Sequence, residues 1–176
     1  MDELLASLLA AAIQFSGLSP IDVGPPVKAM PYDAMLVEIC ADLRADHAFL
    51  LTQYRQCATH HQFTLGTCDE LKSKTDRYDQ CTHQRGLVAA FIIGQHRIVY
   101  RDDLNLDDDT DNSFLVHEYV HALQSHHFGD QVFDTCEGVL AAEKQAYAAQ
   151  EQYLRARGQL LGVGDRLRQI TCRDIR

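Results

Sequence analysis

Two histidines four residues apart, with a glutamate beside the first, constrain this chain more than any other feature: His117-Glu118-Tyr119-Val120-His121. On an α-helix, residues four apart stack on one face, so both imidazoles are presented to one point. Glu118 lies about 100° around the helix from His117. Leu115, Val116, Tyr119, Val120, Ala122 and Leu123 fall on the side away from the histidines. The spacing predicts a helix from about Asn112 to His127, closed by Gly129, with its apolar face on a core and its histidines toward a cleft. Asp111 or Asn112 is positioned to cap its N-terminus, and Asp109 to complement its dipole.

Two imidazoles aimed at one point suit a zinc ion, which needs a third protein ligand and leaves a fourth position for water. Glu118 is then a general base, close enough to take a proton from water acidified by the ion without itself ligating it. Two downstream carboxylates are candidates for the third ligand. Glu137 sits near the start of the next helix, where its charge complements the dipole. Glu143 lies mid-helix among Ala141, Ala142 and Ala146, small residues that let this helix approach the histidine helix closely. Glu143 is the choice. Tyr147, one turn later, shares its face and is a candidate to orient a ligand histidine or hold an oxyanion; the alternative is a tyrosine packed between helices. His126 and His127 read as helix-end residues, and His60-His61 as a surface pair.

The rest of the chain frames this helix. Leu4 to Phe15 reads as a first helix ending near Gly17, followed by a Pro/Gly turn region and a short strand at Val27 to Met30. Asp33 to Ala45 reads as a helix continuing raggedly toward Tyr54. Cys57 to Gln84 is polar and short of apolar surface, so a local crosslink such as Cys68–Cys81 is expected to order it. Leu87 to Ile93 and His96 to Arg101 read as a hairpin around Gly94-Gln95, with glycine supplying a positive φ. The acidic run Asp102 to Asp111 fails as a calcium loop: counted from Asp103, Asp108 stands where glycine is required and Phe114 where the bidentate glutamate belongs. It reads as a solvated loop. A helix from about Glu137 to Arg157, closed by Gly158, and a partly helical tail complete the chain.

With these elements in place, His117 to His121 followed by Glu143-Lys144-Gln145-Ala146-Tyr147 resembles the glutamate zincins, whose third ligand sits in an ExxA-type helix. A closer resemblance is to an uncharacterised group of small bacterial zincin-like proteins, through Leu115 to Gln124, Cys136, Glu143 to Gln150 and Cys172. It covers the last 90 or so residues well and the first 85 loosely. The resemblance implies the ligand set His117, His121 and Glu143 and a disulfide Cys136–Cys172. Where thermolysin-like enzymes carry an aspartate four residues after the ligand glutamate, this chain has Tyr147, which leaves the outer partners of the metal open.

With 176 residues, the expectation is a single α+β, zincin-like domain spanning 1–176, helices around a small antiparallel sheet. A net charge of −9 argues against nucleic acid, and no stretch is apolar enough to span a bilayer. Six widely spaced cysteines without a CxxC pair favour disulfides and an exported, periplasmic or secreted protein; Asp2 and Glu3 argue against reading the first helix as a signal peptide. The expected activity is hydrolysis of a peptide or protein substrate with one zinc ion as cofactor, the strand His96 to Tyr100 receiving an extended peptide. The alternatives are a catalytically silent zinc-binding protein of the same fold, and an exported interaction domain in which the histidine pair is incidental.

Overall fold

A computed structural model describes residues 1–60, 65–165 and 169–172. The architecture is α+β, with six α-helices and one three-stranded sheet among the described residues. Two compact units make it up, one formed by Met1–Met30 with Val88–Arg176 and the other by Pro31–Leu87.

The first unit carries the histidine motif. Its helix α1 (Asp2–Ser16) ends on Gly17, whose φ of 72° is a left-handed conformation that costs a glycine little. Strands β1 (Val27–Met30), β2 (Ala89–Ile92) and β3 (Arg97–Arg101) form a sheet in the order β1-β3-β2. The sheet is mixed, not antiparallel: β2 runs antiparallel to β3, but β1 pairs with β3 in parallel, Val27 opposite Ile98. The β2–β3 connection is a short 3₁₀ turn, Ile93–Gln95, and its positive φ falls on His96 (47°) instead of Gly94.

Helix α5 (Asp109–Phe128) begins one turn earlier than its apolar pattern indicates. Asp108 is its N-cap, accepting hydrogen bonds from the backbone N–H of Thr110 and Asp111. The acidic run is thus put to local use: Asp111 accepts from the Asn105 N–H at 2.8 Å, and Asp109 pairs with Arg157 at 2.7 Å. Gly129 closes the helix at φ 76°. Helix α6 (Cys136–Ala156) starts from a Thr135 cap that accepts from the Gly138 N–H. Helices α1 and α6 both pack on α5, and the core gathers Leu8, Ile98, Leu115, Val120, Leu123 and Leu154, all fully buried. The six predicted apolar positions of α5 are all buried, and so are His117 and His121, because α6 covers the face that carries them. Beyond α6 the described tail residues form turns and no further α-helix.

The second unit differs most from expectation. Where one ragged helix was expected, the chain breaks at Cys40 into α2 (Tyr32–Ile39) and α3 (Ala41–His60). The polar stretch is itself helical, as α4 (Leu65–Thr82). Crosslinks and side-chain pairs do here what apolar periodicity does elsewhere: Cys40–Cys81 and Cys57–Cys68 fasten both ends of α4, Lys72–Asp76 and Glu70–Lys74 form one-turn ion pairs, and the His47 ring packs on Tyr78. The expected Cys68–Cys81 bond is therefore not formed. His61 and the side chain of His60 lie outside the described residues.

The third bond, Cys136–Cys172, joins the start of α6 to the tail in the first unit, the pairing that the resemblance implied. No cysteine is free, and no helix is long and apolar enough to cross a membrane among the described residues.

Candidate metal centre

His117 and His121 stand one turn apart on α5, and α6 brings Glu143 against them. The close approach is made possible by Ala142 and Ala146, which flank Glu143 and are buried at the helix contact. It is close enough for the Gln124 side chain of α5 to donate to the backbone carbonyl of Ala142 at 3.0 Å.

The two Nε2 atoms are 3.0 Å apart; His117 Nε2 lies 3.3 Å from Glu143 Oε2, and His121 Nε2 lies 3.4 Å from Glu143 Oε1. Ligands held at ~2.0–2.1 Å in a tetrahedron are about 3.3 Å from one another, so these separations fit one small ion with a fourth position left over. The three residues form the one group of histidine, cysteine or carboxylate ligands with such spacing among the described residues. The acidic run forms no such group, and Glu137 is exposed in the first turn of α6, apart from it.

The charge balance around the group is tight. Burial works against charge on Glu143, but hydrogen bonds and attraction from both histidines outweigh it and hold the carboxyl far below the usual range. Burial likewise disfavours charge on His121, yet Glu143, Glu118 and Gln124 together push its pKa up. Each imidazole of the group turns its other nitrogen to a glutamine: His117 Nδ1 is 3.2 Å from Gln150 Oε1, and His121 Nδ1 is 2.9 Å from Gln124 Oε1. Both glutamines are almost wholly buried.

No protein family, curated protein or solved structure matches this chain. The zincin resemblance accordingly rests on the sequence motif alone.

Glu118 stands outside the ligand group, half-buried, and its carboxylate accepts a hydrogen bond from the backbone N–H of Phe91 in β2 at 2.7 Å. Tyr147 packs edge-on against the His117 ring, centroids 4.4 Å apart, and its pKa is raised by burial and by the nearby charges of Glu143 and Glu118. Phe133 meets the His121 ring edge-on, centroids 5.8 Å apart. His126 and His127 are exposed at the end of α5, where His127 contacts the Ser19 carbonyl.

Sequence reasoning assigned the peptide-receiving edge to His96–Tyr100. Strand β3 is instead the centre of the sheet, paired on both sides, and β1 and β2 are its two edges. Because the Arg101 N–H bonds the Val88 carbonyl, alternation along the ladder turns the N–H and C=O groups of Ala89 and Phe91 outward. The Glu118 carboxylate takes up the outward Phe91 N–H. Sequence reasoning also missed Gln124 and Gln150. Gln124 follows His121 by three residues and Gln150 follows Glu143 by seven, so helical spacing alone puts each on its ligand's face.

Proposed function

We propose that this protein is a zinc-dependent peptidase of the glutamate-zincin kind, with His117, His121 and Glu143 as ligands and Glu118 as general base. The observation that carries the reading is the contrast between the carboxylates. Glu143 joins the imidazoles at ligand spacing, while Glu118, one residue from a ligand, is held off the group by a backbone donor. A bound zinc ion would polarise a scissile carbonyl and make water a nucleophile near neutral pH.

The chain's own residues would do the rest. Glu118 takes the proton from the attacking water and returns it to the departing amine. Tyr147, on the ligand face of α6, is the candidate to hold the developing oxyanion. An extended peptide would pair with an outer strand of the sheet, as peptides do in β-augmentation, which is the ground for proposing a peptide or protein substrate. Three disulfides with no free cysteine among the described residues suit the oxidising, periplasmic or secreted setting proposed for it.

The test compares wild type with Glu118→Gln for zinc content and for hydrolysis of an unstructured protein. About one equivalent of zinc in both, with hydrolysis only in wild type, is the expected result. Equal zinc in both and hydrolysis in neither would favour the silent zinc-binding alternative.

A further inference from the structure

Each ligand histidine begins a hydrogen-bond relay that ends on a backbone carbonyl, and a carbonyl can only accept. From His121 the relay runs through Gln124, whose Nε2 lies 3.0 Å from the Ala142 carbonyl oxygen and 2.9 Å from Gln145 Oε1. The group facing Ala142 must therefore be the amide NH₂, so the oxygen faces His121. From His117 the relay runs through Gln150, whose Nε2 is 2.9 Å from Ser113 Oγ. The Ser113 hydroxyl sits 2.6 Å from the Thr110 carbonyl and donates its one hydrogen there, so it can only accept from Gln150. Gln150 thus also turns its oxygen to the imidazole. In both cases the nitrogen facing the glutamine must be the one that carries hydrogen.

We infer that Gln124 and Gln150 are positioning residues that lock both imidazoles as Nδ1–H tautomers, making the three ligand side chains an acceptor-only pocket for one cation. The consequence lies in what converges: two Nε2 lone pairs and two carboxylate oxygens meet at 3.0 to 3.4 Å with no neutral-state hydrogen among them. A proton on an imidazole relieves it at lower pH, and a shared metal cation relieves it once both imidazoles are neutral. Both partners are neutral amides, so the imidazoles donate less electron density than they would with carboxylate partners. The two relays also differ. Gln150 Nε2 meets a hydroxyl that can reverse its direction, whereas Gln124 Nε2 meets a carbonyl that cannot.

This inference rests on the metal-site reading for its cation but not for its tautomers, and one set of measurements separates the two. Imidazole ¹⁵N spectra of wild type, metal-free at alkaline pH and zinc-loaded, are expected to show Nδ1–H for both residues. Zinc affinity, measured by competition with a chromophoric chelator, is expected to rise several-fold in Gln150→Glu, where Ser113 reverses to donate. It is expected to fall about 10–100-fold in Gln150→Leu and in Gln124→Glu, the latter because a carboxylate would face the Ala142 carbonyl. Glutamines with a merely structural role would change stability and leave tautomers and affinity alone. Hydrogen on Nε2 of either neutral histidine in metal-free wild type at alkaline pH, or equal affinity in all three variants, overturns the inference. Failure of wild type to take up zinc would remove the metal reading and the pocket's cation, while the metal-free spectra would still decide the tautomers.

Discussion

The Glu118 carboxylate and the Phe91 backbone N–H are joined by a 2.7 Å hydrogen bond that ties α5 to β2, one of the two edge strands of the sheet. The bond keeps Glu118 out of the ligand group and beside the strand edge. Glu118→Gln should keep this contact through its side-chain oxygen, retain zinc and lower hydrolysis by about 10²–10⁴-fold, the usual worth of a general base. Steady-state rates on zinc-loaded protein check it.

The ligand assignment is tested by the two glutamates of α6. Glu143→Ala should weaken zinc binding by more than the 10–100-fold expected for an outer hydrogen-bond partner, and Glu137→Ala should leave it unchanged. Titration against a competing chelator distinguishes them, and the reverse order would transfer the ligand role to Glu137.

Uptake of zinc should release a proton from His121. Its folded-state pKa is raised, so in the metal-free protein its pairing with Glu143 is present below the unfolded histidine pKa and lost as pH rises through the higher folded value. Glu143, whose pKa is lowered, contributes above the ordinary carboxylate range and loses its contribution as pH falls through its depressed value. Metal-free stability from this pair is therefore greatest between the carboxylate and histidine ranges. Apparent zinc affinity should fall by about tenfold per pH unit below the folded His121 pKa. Calorimetry in buffers of different ionisation enthalpy gives the proton count; affinity independent of pH across the histidine range would contradict the assignment.

Gly164 has φ +73°, and a Cβ there would come within 2.6 Å of Tyr147. Gly164→Ala should cost about 1–2 kcal/mol in denaturant unfolding and displace the Tyr147 ring from His117. Gly158→Ala shares the positive φ but meets nothing within 4 Å, so it should cost less and leave Tyr147 in place.

Non-reducing peptide mapping should recover Cys40–Cys81, Cys57–Cys68 and Cys136–Cys172. Cys40–Cys81 spans 41 residues and Cys57–Cys68 spans 11, so loop entropy alone makes loss of the first the costlier by about 1 kcal/mol. Thermal unfolding of the paired Cys→Ser variants measures the difference.

What could be read from the sequence was what local periodicity writes. The four-residue spacing of His117 and His121 and the apolar positions around them marked α5, and the alanines beside Glu143 marked the helix that approaches it. The parallel pairing of β1 with β3 was not legible, because nothing in Val27 to Met30 names a partner some seventy residues away. Nor were the break between α2 and α3 at Cys40 or the whole of α4, whose polar composition resembles a loop until Cys68 and Cys81 are paired with Cys57 and Cys40. The cap at Asp108 was hidden among neighbouring aspartates, each a chemically adequate cap. Gln124 and Gln150 were visible in helical spacing, but an amide becomes informative only once its second partner is known.

The bond between Cys136 and Cys172 closes a ring of chain that contains all of α6 and therefore Glu143. Any protein that meets a protease is exposed to nicking outside its helices and strands. A single cut between Gly158 and Thr171 would leave the tail joined to the start of α6 by this bond, while α6 itself stays joined to α5 through the backbone. Such damage would change the fragment pattern on a reducing gel before it changed how much metal the protein holds.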